Sequence, residues 1–203
     1  WLSRRFAAAE ADEGLPHHLD RHVTGTPRLA IDALDMELKR VAAIAHRMAR
    51  TALSAEADDA RLRADQATLE RLCEAVIAYA GSVQGAGDAM VESTLPNAVR
   101  VAQYYRAMAE RAEELGRNPP GTLAEAHQAW VDGLTHSAHR VLEASDPAAD
   151  GGIDAEKLGR LAEQFDSLYH QTKAELLRAG SRGELTAPAL VRVLDRASFL
   201  RRV

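Results

Sequence analysis

Four side chains with metal-binding chemistry, Asp132, His136, His139 and Glu143, follow one another at spacings of four, three and four. On a helix these spacings place all four along one face. Two imidazoles one turn apart, flanked by carboxylates, can chelate a divalent ion. The same pattern also describes a solvated polar stripe with His139 partly buried. We expect the stripe, because the stretch 93 residues earlier carries Lys39, Ala43, His46 and Arg50 and holds no ligand set. A second histidine-rich segment, His17-His18-Leu19-Asp20-Arg21-His22, reads as a loop with solvated imidazoles or as a site that captures metal; the loop is expected.

Other chemistry is thinner. The single cysteine, Cys73, falls on an apolar helical stripe and reads as core filling. A G-x-S-x-G nucleophile elbow is missing from the sequence, as is a Glu-x-x-His pair of the kind that builds a dinuclear iron bundle. The run Gly81-Ser82-Val83-Gln84-Gly85-Ala86-Gly87 lacks the lysine of a phosphate loop and follows a helical pattern instead of preceding one, so it reads as a helix stop. Near the C-terminus Arg192, Arg196, Arg201 and Arg202 form a basic cluster in an acidic chain. They could contact a phosphate or an anionic lipid. A solvated helix end, with arginine favoured by the negative end of the helix dipole, is the simpler reading.

Apart from the loop at His17 to His22, the elements that position these residues are helical. The chain has 203 residues, 25 Lys+Arg against 30 Asp+Glu, a net charge of -5 and 46% hydrophobic residues, values of a folded protein. That balance argues against a nucleic-acid binder, and one cysteine excludes an intrachain disulfide framework. The longest uncharged stretch, Ala75 to Gly87, is too short and too rich in glycine to span a bilayer. Thr26-Pro27 opens a first helix carrying Leu34, Leu38, Val41, Ala45, Met48 and Ala52 on one stripe. A second runs from near Ala57 to near Val83, and a third starts near Leu95-Pro96 and stops at Gly116. A fourth covers 122–144, a fifth 153–179, and a sixth begins at Thr186-Ala187-Pro188 and runs to the end.

The pattern repeats. Pro27 and Pro120 stand 93 residues apart, as do Ala45-His46-Arg47-Met48 and Ala138-His139-Arg140-Val141, and Glu70 and Glu163; Val99-Arg100-Val101 and Val191-Arg192-Val193 stand 92 apart. Ordered matches at offsets of 92 and 93 predict a tandem duplication of an antiparallel three-helix unit, with an irregular segment 1–25, a first repeat 26–118 and a second 119–203. A single irregular six-helix bundle is the alternative.

The order His18-Leu19-Asp20, Thr26-Pro27-Arg28-Leu29-Ala30-Ile31, then Glu37-Leu38 and Arg40, resembles the start of the cytoplasmic PhoU-like domain of bacterial Na/Pi cotransporter family proteins. In that family the segment follows the last membrane helix, and the opening Trp1-Leu2-Ser3-Arg4-Arg5-Phe6 is similar to such a junction. The resemblance implies an all-α, six-helix PhoU-like bundle without catalytic activity. It implies a regulatory or assembly role in sodium-dependent phosphate transport, at the cytoplasmic face of the inner membrane as part of a membrane protein. The implied partners are an upstream membrane domain of the same chain and either a second copy or partner helices; no nucleic acid and no cofactor are expected. The family's acidic metal motifs depart here: the third helix has Arg106 where the first acid of the pair with Glu110 stands, and the sixth has Phe199 where a partner of Asp195 stands. Fewer hard oxygen ligands weaken a divalent-metal site. A free-standing PhoU-like regulator that binds a transporter or sensor kinase, and a metal-dependent helical enzyme using Asp132, His136 and His139, are the alternatives.

Overall fold

The computed structural model describes residues 13–54, 58–85, 87–118, 121, 123–149 and 152–202. The opening segment Trp1 to Phe6 lies outside them. Among the described residues regular structure is helical, with six α-helices, one 3-10 turn and no strand. The helices are α1 (Pro27–Leu53), α2 (Asp59–Ala80), α3 (Ala89–Gly116), α4 (Glu125–Ala144), α5 (Ala155–Ser181) and α6 (Ala187–Leu200).

Each boundary has a local cause. Pro27 fixes the first turn of α1, where the Thr26 carbonyl accepts from the Ala30 N–H at 3.1 Å. Asp154 caps α5 by accepting from the Lys157 N–H at 2.9 Å, and Thr186 caps α6 by accepting from the Ala189 N–H. α5 ends in a Schellman turn. The Glu184 N–H reaches the Ala179 carbonyl and the Gly183 N–H reaches the Gly180 carbonyl, with Gly183 at φ 74°.

The third helix departs from expectation. It begins at Ala89, six residues before the Leu95-Pro96 pair that the sequence suggests. Asp88 is its cap, accepting from the Met90 N–H at 2.8 Å. Pro96 therefore sits inside the helix, where it removes one N–H donor. In the neighbouring turn the Asn97 amide donates to the Ser93 carbonyl at 2.8 Å.

The described residues fall into two compact units. One takes the chain up to Ala45 together with Arg63–Ala109; the other takes His46–Leu62 and the chain from Glu110 onward. In the first, Ala30, Leu34 and Val41 of α1, Leu69, Leu72 and Val76 of α2, and Ala102 and Ala109 of α3 are buried. Each such leucine contributes about 1.5–3 kcal/mol. The Cys73 thiol points from α2 to the Ala102 carbonyl of α3 at 3.4 Å, so these two helices meet at a small-residue contact.

In the second unit α4, α5 and α6 each pack against the other two. Their core joins Val131, Leu176, Ala179, Val193 and Leu185, with Trp130, Leu190 and Leu194 around it. Gly180 permits the close approach of Leu190, since a Cβ there would lie 2.5 Å from a Leu190 methyl. Among the described residues no helix is long and apolar enough to cross a membrane.

Candidate functional site

α4 carries the acidic and imidazole stripe as its spacing predicts. Asp132, His136 and Glu143 are exposed and His139 is half-buried. Asp132 accepts from the Gln128 amide at 2.8 Å, a bond made one turn away on its own helix. Among the described residues no group of three or more His, Cys, Asp or Glu side chains gathers into a metal-binding set.

The His17 to His22 segment is organised by its backbone. Asp20 accepts from the His22 N–H at 2.9 Å and from the His22 ring at 2.8 Å, which lowers its carboxyl pKa. The hydroxyl of Tyr79 on α2 donates to the Asp20 carbonyl at 2.9 Å. Between this segment and α2 lies a cleft of about 410 Å³, with Leu19, Arg21, Ala78 and Tyr79 among its walls.

Beneath that segment is a pair whose structural work has no helical-period signal. Glu37, fully buried on α1, accepts from the backbone N–H groups of His17 and His18, each at 2.9 Å. It is paired with Arg40 one turn later. Arg40 in turn donates to the carbonyls of Leu15 at 3.0 Å and Glu13 at 2.9 Å. A buried carboxylate is stable only when paired and hydrogen-bonded. Here its partners are one guanidinium and two backbone donors. The clamp ties residues 13–18 to α1.

The four arginines near the C-terminus separate. Arg192 and Arg202 are exposed. Arg196 is buried and donates to the Asn118 carbonyl at 2.7 Å, with the Leu115 carbonyl at 3.5 Å. It satisfies the end of α3, so its guanidinium is spent on carbonyl oxygens and not offered to an anion. Burial lowers its pKa, and its Nε has no hydrogen-bond partner. Arg201 pairs with Asp166 at 2.7 Å and lies over the Tyr169 ring.

Three titratable centres complete the inventory. Cys73 is buried, and burial raises its thiol to about 11, which suits core filling. His46 is buried on α1; desolvation lowers its pKa against the opposing pull of Asp146. Asp146 itself pairs with Arg50 at 2.9 Å. His127 is buried beside Trp130 and meets Glu184 at 3.2 Å. Glu184 is held at about 2, first by its hydrogen bond from Arg182 and then by that from His127.

Asp195, Arg106 and Glu110 are exposed, and Phe199 is half-buried. In comparisons with protein-family models, curated proteins and solved structures, no match to this chain was found.

Proposed function

We propose that this chain is a non-catalytic cytoplasmic regulatory or assembly domain of a sodium-dependent phosphate transporter. It works through helix faces, against an upstream membrane domain of its own chain and against a second copy or partner helices. The observation that carries this reading is the Glu37–Arg40 clamp. The residues that resemble the transporter junction are the ones that organise residues 13–27: Asp20 caps the 3-10 turn, Pro27 starts α1, and Glu37 and Arg40 hold the preceding backbone. A rigid attachment of the entering chain to the first helix is what a domain needs to pass a displacement to or from a neighbouring unit. Leu29 and Met36, seven residues apart on α1 and both exposed, supply an apolar strip for a partner helix.

Fractionation of cells that express the native reading frame, followed by an antibody against this chain, tests the reading. The expected band stays with carbonate-washed membranes and migrates well above 22.0 kDa. A band found only in the soluble fraction contradicts it and favours the free-standing regulator.

A further inference from the structure

Independently of the transporter reading, we propose that the cleft between the 16–24 segment and α2 binds a small amphipathic anion, its apolar body against Leu19, Ala75, Ala78 and Tyr79 and its acidic group on Arg21. The cleft has a volume of about 410 Å³, and these five side chains line it. That volume is within the range of small-molecule sites. The lining has their usual character too, mostly apolar walls with a polar anchor.

The loop wall is tied to the helical frame at three points along its length. Upstream, the Glu37–Arg40 clamp holds the backbone from Glu13 to His18. In the middle, the Tyr79 hydroxyl donates to the Asp20 carbonyl at 2.9 Å. Downstream, the Gln84 N–H donates to the Thr24 carbonyl at 2.9 Å. The Tyr79 side of the cleft is equally fixed, since that residue is only 5% exposed. A cleft held open in this way costs a guest little ordering entropy.

Its polar groups decide which guest fits. The hydroxyls at the cleft are already engaged as donors. Tyr79 donates to Asp20, Thr24 to the Arg21 carbonyl at 2.9 Å, and Ser82 to the Tyr79 carbonyl at 2.7 Å. Arg21 is different. It is exposed, and among the described residues no carboxylate or carbonyl accepts from its guanidinium. The carboxylate next to it in the chain, Asp20, is taken by the backbone N–H and the ring of His22. A guanidinium with open donors beside apolar walls selects a guest with negative oxygen at one end and hydrocarbon along the rest. A bare inorganic anion leaves the walls in water, and a wholly apolar guest leaves the guanidinium unused.

The test uses the whole chain, labelled with ¹⁵N and titrated at neutral pH with sodium 4-phenylbutyrate, the ionic strength held constant with sodium chloride. A parallel titration uses 4-phenyl-1-butanol, the matched neutral guest. The expected result is a saturable shift of the Leu19, Arg21, Ala78 and Tyr79 amides. The acid should bind about fivefold more weakly in Arg21→Gln, the loss of one exposed ion pair, while the alcohol binds wild type and Arg21→Gln alike. Ala78→Phe, which places a ring in the cleft, should abolish the shifts of both guests. No saturable shift in the wild type, or equal affinity in the wild type and Ala78→Phe, overturns the site. Acid and alcohol bound equally by the wild type, or acid affinity unchanged in Arg21→Gln, overturns the assignment to an anion held by Arg21.

Discussion

Glu37 and Arg40 divide one stretch of backbone between them, the carboxylate accepting its N–H groups at His17 and His18 and the guanidinium donating to its carbonyls at Glu13 and Leu15. Neither half stands alone. Removal of the carboxylate leaves a half-buried cation and two amide donors without their acceptor. Glu37→Ala is expected to cost about 3–5 kcal/mol in urea unfolding. Glu37→Gln, which keeps an acceptor oxygen, costs less. Amide hydrogen exchange at His17 and His18 should rise in both variants. A Glu37→Ala loss below about 1 kcal/mol would mean that the clamp does not hold the segment.

Arg196 closes α3 from a distance of about eighty residues along the chain, through the Leu115 and Asn118 carbonyls. Hydrogen bonds to a charged group contribute about 1.5–3 kcal/mol. Arg196→Ala should lose that much, with faster exchange in the last turn of α3. Both carbonyls accept from one nitrogen, Nη1, so Arg196→Lys, whose ammonium carries three donors on one nitrogen, should recover part of the loss. Full stability in Arg196→Lys would show that charge alone suffices.

Acid should weaken the fold over two pH ranges. His46 has a folded pKa below its ordinary 6.5, owing first to burial, so the unfolded chain binds the extra proton. Its contribution is complete above pH 6.5 and falls away as pH drops below that value. Glu184 is depressed from 4.5 to about 2, so its contribution is complete above 4.5 and disappears between there and 2. A stability-versus-pH series should lose its upper limb in His46→Leu and part of its lower limb in Glu184→Gln. An unchanged profile in both variants would contradict the assignment.

The turn that delivers Glu184 toward His127 depends on Gly183, whose φ of 74° is left-handed. Gly183→Ala should destabilise by about 1–2 kcal/mol in thermal or urea unfolding. A neutral substitution would mean that the turn rearranges easily.

Most of the helical frame is legible in the amino-acid sequence. Of the stripe Leu34, Leu38, Val41, Ala45, Met48 and Ala52, all but Leu38 are buried; Leu38 is half-buried and its neighbour Glu37 takes the fully buried position, while Thr186 caps α6 where a Thr-Ala-Pro start suggests. The start of α3 is not legible, because Pro96 imitates a first-turn proline while the true cap, Asp88, sits at the end of a glycine-rich run. The outward polar stripe of α4 follows from spacing alone. The burial of Arg196 does not: on α6 it looks like its exposed neighbours, and only the distant end of α3 makes it internal. The Tyr169 and Lys173 pair has a visible i,i+4 spacing, but Arg201 reaches the Tyr169 ring only through packing of α5 on α6. The Glu-x-x-R spacing of Glu37 and Arg40 is visible too, yet its partners are backbone atoms some twenty residues away and carry no residue-type signal.

The most direct test of the transporter reading is uptake of radiolabelled phosphate by cells deficient in their own phosphate transporters and expressing the native reading frame, with sodium or with choline in the medium. The account predicts sodium-dependent uptake above the vector control, with altered regulation when residues 26–203 are deleted. Uptake equal to the vector control in both media would contradict it.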